Sequence, residues 1–272
     1  MKIGLALSGG GVRATVFHLG VLARLAKTPM WDELVHVSTV SGGSLCIALV
    51  FEKSGKKWPT ATDYLEKTLP QAFAVLTTTD IQRQLLIQTF TRLWQLLAGR
   101  AHVLGSLLEK YWGVTSNVSD MPLHPRWTIN ATCYQTGKNF RFSAERMGDY
   151  VTQYVLNPIF PLSDAVAASA GFPVGIGPLK IRTRKYVWQT HDGKKTVKPL
   201  YCSYHLWDGG VYENLGLEVL YKIGADKKTG RKLRDDVDFC LVSDASAPLA
   251  ELPRPWIPFY RHYKQRFPWV AE

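Results

Sequence analysis

Ser41 stands two residues after Thr39 and two before Gly43, between a β-branched run at 34–40 (LVHVSTV) and an apolar stretch at 45–51. A serine on a sharp strand-to-helix turn lifts its hydroxyl above the sheet edge. Small neighbours permit the tight backbone, and the new helix aims free N–H groups and its positive dipole end at the same point. This is the arrangement of a nucleophile elbow, whose usual form is Gly-x-Ser-x-Gly; Thr39 takes the place of the first glycine. Ser44, the rival hydroxyl, falls inside the helix and is expected to point elsewhere.

Two further groups could complete such a site. Gly9, Gly10 and Gly11 follow a short apolar run, where backbone without side chains lets N–H groups close on a ligand. A developing oxyanion needs such fixed donors. Arg13 adds positive charge at the start of a helix, where it opposes the dipole, so its placement suits anion binding better than stability. Asp208-Gly209-Gly210 ends a β-rich run. An aspartate there, followed by two glycines, lies near the sheet edge with little cover and can accept a proton from a serine hydroxyl. A Ser…Asp…His order requires a histidine after Asp208. Only His262 meets that requirement, and no helix or strand pattern fixes it. The residues favour a Ser41–Asp208 dyad. Taken singly, each group is also an ordinary turn; their joint presence carries the reading.

The elements that must position these groups follow from periodicity. Residues 3–7 read as a strand, the three glycines as a loop, and 15–26 as a helix with apolar residues at Val16, Leu19, Leu22, Ala23 and Ala26. Residues 34–40, the turn at Ser41 to Ser44, and 45–51 repeat the unit. Two such units predict an α/β fold with a mainly parallel sheet. Residues 55–125 lose the rhythm and read as an insertion over the sheet, a helical cap, with one helix at 80–97. Strands are expected at 127–133 and 139–143, and a helix capped by Ser163 running through Ala170. A hairpin around Asp192-Gly193 should join 180–190 to 196–207, followed by a helix at 213–223 and a buried strand at 237–243. With no repeat or low-complexity linker, residues 1–272 read as one domain.

Composition narrows the class. The chain has 272 residues, 46% of them hydrophobic and 20% charged, which excludes global disorder. Lys and Arg number 33 against 22 Asp and Glu, a net +11 that points to an anionic partner. No nucleic-acid-binding module accompanies that charge, so a nucleic acid is not expected. Cys46, Cys133, Cys202 and Cys240 form no Cys-x-x-Cys pair, which argues against a zinc site and for a reducing cytoplasm. The amino terminus is too short and glycine-bounded for a secretory signal. No apolar run approaches the ~20 residues of a spanning helix, so a membrane would be met from the side.

Together these residues resemble the patatin-like phospholipase family. The likeness rests on the glycine-rich motif with its basic residue (Gly9, Gly10, Gly11, Arg13), the elbow Thr39-Val40-Ser41-Gly42-Gly43, and Asp208-Gly209-Gly210. A further block, Ala167-Ala168-Ser169-Ala170 with Pro173 and Pro178, also matches, as does the stretch from Thr132 to Gly137. The resemblance spans about residues 3–245. It implies a three-layer α/β/α sandwich and hydrolysis of phospholipid acyl esters without a metal or cofactor. Ser41 would attack, Asp208 would activate it, and the 9–11 loop would hold the oxyanion. It also implies a cytoplasmic protein peripheral at the inner membrane surface, in lipid turnover or as a membrane-degrading effector. Any activator would be a separate molecule or chain.

Rival readings remain. A shell of the same fold could bind lipid or nucleotide without turnover. Gly9-x-Gly11-x-x-Ala14 also fits a dinucleotide fingerprint, with Asp32 or Glu33 as the ribose-binding acid. The helix at 80–97, with Arg83, Arg92 and Trp94, suits either an interface or the core. The basic residues of 180–198 suit an anionic membrane surface or a solvated edge. The aromatic tail (Trp256, Phe259, Tyr260, Tyr263, Phe267, Trp269) suits an interface or the sheet.

Overall fold

The apolar run at the amino terminus forms β1 (Ile3–Leu7), buried throughout, and the β-branched run forms β2 (Leu34–Val40). Helices α1 (Gly11–Leu25) and α2 (Gly42–Lys53) follow them, the expected unit twice over. The computed structural model describes residues 1–81, 83–85, 100–172, 176–223, 231–234 and 236–246. Later strands are β3 (Arg126–Cys133), β4 (Lys138–Ser143), β5 (Arg146–Asp149), β6 (Gln153–Leu156), β7 (Leu179–Arg182), β8 (Ser203–Asp208), β9 (Tyr221–Ile223), β10 (Arg231–Leu233) and β11 (Phe239–Ser243).

The main sheet has nine strands, in the order β11–β1–β2–β3–β4–β5–β6, with β8 on β3 and β7 on β8. From β11 to β3 the strands are parallel, with helical crossovers leading from β1 to β2 and from β2 to β3. Outward from β3 the pairs are antiparallel, on both the β4 and the β8 side. Alternate residues of β1 face different layers. Leu7 meets Gly43 of α2, while Gly4, of the other parity, lies against Leu220 and Val237. The sheet is therefore covered on both faces, as a three-layer α/β fold requires. The helix Leu69–Thr78 packs on α2, and the helix Arg100–Leu107 packs on the helix Leu162–Ser169. These helices of 61–112 share the main core through Tyr64, Leu104, Leu108 and Trp112. Among the described residues, no helix is long and apolar enough to cross a membrane.

The seating of α2 on β1 depends on one missing side chain. A Cβ at Gly43 would lie 2.5 Å from the Leu7 carbonyl oxygen and 2.8 Å from Leu7 Cβ. Backbone cannot yield as a side chain can. Gly43→Ala is expected to cost about 1–3 kcal/mol of stability. Chemical denaturation would check this: a lowered midpoint with an unchanged slope is expected, and an unchanged midpoint would refute it.

Three expected elements differ. The helix at 213–223 is instead a 3₁₀ turn (Leu217–Leu220) running into β9. The Glu213 carboxylate accepts the N–H groups of Leu215, Gly216 and Leu217, and Gly216 takes φ 75°, so the chain curls around the carboxylate rather than extending as a helix. Ser163 is not a cap: the helix Leu162–Ser169 begins two residues earlier than a Ser163 cap would set it, with Pro161 at its N-cap. There the Leu162 N–H is taken by Ser116 O at 2.9 Å. The hairpin is shorter than its runs, with β7 and β8 pairing only over Leu179–Arg182 and Ser203–Leu206. A local bridge between Gln189 and Thr196 flanks the Asp192-Gly193 turn. Most of the helix expected at 80–97, with Arg92 and Trp94, lies outside the described residues, as do Pro173, His262 and the aromatic tail.

Candidate active site

Both the serine and the aspartate are aligned by β3. One edge of this strand is shared end to end: β2 occupies it as far as Val40, opposite Asn130, and β8 takes over at Asp208, opposite Ala131. The ends of β2 and β8 therefore abut, and Ser41 and Asp208 leave them at the same point. The Ser41 hydroxyl lies beside the Asp208 carboxylate, close enough to favour its ionised form.

Ser41 has φ 48° and ψ −110°, a conformation L-residues rarely adopt and one that costs on the order of 1–3 kcal/mol. Its surroundings hold it there. The Ser41 N–H donates to Ser169 Oγ at 3.0 Å, and Ser169 Oγ donates to Asn130 O at 2.6 Å. A Cβ at Gly42 would collide with Gly11 O and Ala14 Cβ, so the two glycine turns press directly on each other. Thr39 is compatible with the elbow because its hydroxyl points away from it, accepting from Trp127 Nε1 at 3.0 Å and Ser44 Oγ at 2.9 Å. Ser44 is thereby committed to a buried network, as its helical position predicts.

Asp208 is 5% exposed. Burial raises its pKa to about 6, opposed by the Gly210 N–H, which donates to Oδ1 at 2.7 Å, and by the Ser41 hydroxyl. Its backbone carbonyl accepts from Thr132 Oγ1 at 2.8 Å. Gly209 must lack a side chain, since a Cβ there would lie 2.5 Å from Asn130 O. The carboxylate is thus fixed by its strand, by the turn after it and by the serine.

In the glycine loop, Gly10 and Gly11 have φ 141° and 66°. Their N–H groups have no partner among the described residues. Gly9 differs: its N–H donates to Asn214 O at 3.0 Å, and its lack of a side chain leaves room for Asn214 and Ser41. A cavity of about 620 Å³ opens over the loop, Ser41 and Asp208. Leu45, Ile81, Leu85, Leu104 and Ile176 give it an apolar wall. Phe172 and Val211 line it too and are 60% and 55% exposed, which places them at its mouth. Arg13, exposed and without an ion pair among the described residues, also lines it. None of the described histidines does. His18 is buried instead between Ser243 Oγ at 2.9 Å and Ser8 O at 3.0 Å, bracing the ends of β1 and β11.

The dinucleotide reading fails on position. Glu33 precedes β2 and pairs with the amino terminus at 2.7 Å, so it sits at the far end of the strand from the glycine loop. Sequence reasoning passed over Ser169 as a brace and Asn214 as a loop anchor. Ser169 lay within a recognised small-residue block; Asn214 carried no signal.

An α/β sheet that presents a serine on a strained strand-to-helix elbow, beside a glycine loop, defines a broad class of proteins. Within it, the profile of the patatin-like phospholipases matches residues 5–221. The chain belongs to the patatin-like phospholipase family. Among solved structures, human GIVD cytosolic phospholipase A2 is similar, with a TM-score of 0.54 at 14% identity over 80% of this chain. That likeness is one of fold, and the chain spans 40% of the human protein's length. VipD from Legionella pneumophila aligns over 78% of this chain and 46% of its own, at 15% identity and a TM-score of 0.39. No curated protein sequence matches the chain.

Proposed function

We propose that the chain is a lipid acyl hydrolase that cleaves acyl esters of membrane phospholipids, with Ser41 as nucleophile and Asp208 as its base. The observation that carries this reading is the serine hydroxyl set beside a buried carboxylate in the lining of one apolar cavity. Ser41 Oγ attacks the ester carbonyl carbon as its proton passes to Asp208. The oxyanion meets the N–H groups of Gly10 and Gly11 at the start of α1, where the dipole favours negative charge. Collapse breaks the ester bond, and Asp208 returns the proton to the leaving oxygen. Water, deprotonated by the same carboxylate, then releases the acyl group from Ser41. Every role falls to a side chain or backbone N–H of this chain.

The apolar wall suits an acyl chain, and the helices of 55–125 that supply Ile81, Leu85 and Leu104 act as a cap on a single catalytic domain. Arg13 suits the phosphate. Phe172 and Val211 at the mouth favour entry from a lipid surface. Lys180, Arg182, Arg184, Lys185, Lys194, Lys195 and Lys198 are all exposed, which supports docking on an anionic membrane, the inner surface of the cell in this reading. A role as a bacterial membrane-degrading effector with a separate activator accords with such a site.

The test is labelling with a serine-directed fluorophosphonate, together with turnover of anionic phospholipid vesicles. Label on Ser41 with release of fatty acid is expected. Neither label nor turnover by folded protein would replace this reading with a non-catalytic lipid-binding shell. A second variant tests the elbow. Ser169→Ala strips the acceptor from the Ser41 N–H without touching substrate. It should lower kcat about tenfold and leave KM nearly unchanged. A raised KM at constant kcat would contradict a bracing role.

A further inference from the structure

A second cavity, of about 450 Å³, lies away from Ser41, between β3, β4 and β5 and the chain after Asp208. Its character is opposite to the first. Arg126, Lys138, Arg141, Arg146 and Arg234 line it and outnumber its carboxylates. The ion pairs within it are loose: Arg141 reaches Glu218 Oε1, and Arg126 reaches Glu145 Oε2, each at 3.3 Å. Charge-assisted pairs close to about 2.7–2.9 Å when they are optimal. These guanidinium groups keep donors for another partner.

Buried polar atoms in the lining point the same way. His36 Nδ1, Asn139 Oδ1, Arg141 Nε and Glu218 Oε2 have no hydrogen-bond partner among the described residues. His36 is 1% exposed and Asn139 8%. Unpaired buried polar groups are costly, so four around one cavity mark a site shaped for something other than this chain. Burial, followed by the charges of Arg234 and Arg126, lowers the His36 pKa to about 3, so its ring is neutral and adds no charge. Two of the free atoms are donors or ring nitrogen beside cations; the other two, Asn139 Oδ1 and Glu218 Oε2, only accept. An inorganic anion would leave those two acceptors unanswered. A ligand that carries both phosphate oxygens and hydroxyl groups offers acceptors and donors to match both kinds.

We propose that this second cavity binds a phosphate ester of a hydroxylated small molecule. Arg126 and Arg141 hold its phosphates, while Asn139 and Glu218 take its hydroxyl donors. The volume is that of a small-molecule site. A free nucleotide or a phosphorylated inositol headgroup would each present this chemistry.

Calorimetry at physiological salt separates these sources. ATP and inositol trisphosphate serve as soluble probes, pyrophosphate as the probe without hydroxyls, and phosphatidylinositol bisphosphate vesicles as the membrane probe. At least one hydroxylated probe should bind more tightly than pyrophosphate. Arg126→Gln combined with Arg141→Gln should weaken it by about tenfold or more. Arg182→Gln with Lys185→Gln, on the exposed hairpin, should leave soluble-probe binding unchanged. If no probe binds, or if both double variants weaken binding equally, the proposal is overturned. Should the cavity variant fail to fold, the His36 ring resonances of the wild type decide: a shift on adding the bound probe supports the site, and no shift refutes it. Binding is read without turnover, so it stands or falls apart from the hydrolase reading.

Discussion

Asp208→Asn is expected to make the protein more stable while removing its activity. Burial raises the folded-state pKa of Asp208 from 3.8 to about 6. An acid whose pKa is raised on folding binds its proton more tightly in the native state, so its ionisation opposes folding. The cost is absent below the unfolded value near 3.8, grows as pH rises, and is complete above about 6. A shift of about 2 units corresponds to roughly 3 kcal/mol at neutral pH, an upper bound on the gain from a neutral isostere. Asparagine keeps an oxygen for the Gly210 N–H and offers its amide to Ser41, so no buried group is stranded. A rise of several degrees in Tm at pH 7.5, shrinking toward zero near pH 4, is expected. Turnover should fall by about three to four orders of magnitude, since the amide cannot take the serine proton. A lowered Tm at neutral pH would show that the ionised carboxylate stabilises the fold, and retained turnover would remove Asp208 from the mechanism. In the wild type, kcat/KM should fall about tenfold per unit below pH 6.

Ser41→Ala should lose at least about a thousandfold in ester hydrolysis and all fluorophosphonate label. Its stability should barely change, because alanine inherits the same φ of 48° and the same strain. Ser41→Gly separates function from strain. The backbone of Ser41 lies near the mirror image of an extended conformation, which glycine adopts freely. The glycine variant should be as inactive as the alanine variant yet about 1 kcal/mol more stable than it. Vesicle hydrolysis and thermal melts of the three proteins, run side by side, read both effects. Residual activity in either variant would shift the nucleophile elsewhere. A glycine variant less stable than the alanine one would show that the turn is not strained.

Much of this arrangement was legible because local sequence and global fold demanded the same residues. The strand at 34–40 and the turn at Ser41 were readable since β-branched residues and small ones alternate sharply there. β1 was equally plain. What could not be read was long-range. Nothing in 203–208 announces that β8 continues the edge of β3 where β2 stops, and that placement alone brings Asp208 to Ser41. Glu213 looked like a helix residue because its cradle of N–H groups is a tertiary feature with no periodicity. Gly9 and its two neighbours read alike, yet the Asn214 carbonyl occupies the first N–H and leaves the other two. The basic cavity was invisible because its arginines come from separate strands and turns.

The end-to-end sharing of the β3 edge has a consequence for how the protein is made. In the proposed mechanism neither β2 nor β8 alone yields a working centre. Ser41 leaves the ribosome long before Asp208, and a nascent chain that carries only the first part has a hydroxyl with no base. Pairing β8 with β3 is a contact of high sequence separation, the kind that forms late and slowly. In that mechanism hydrolysis waits on the pairing of β8 with β3, and a chain cut short before Asp208 is expected to show no turnover.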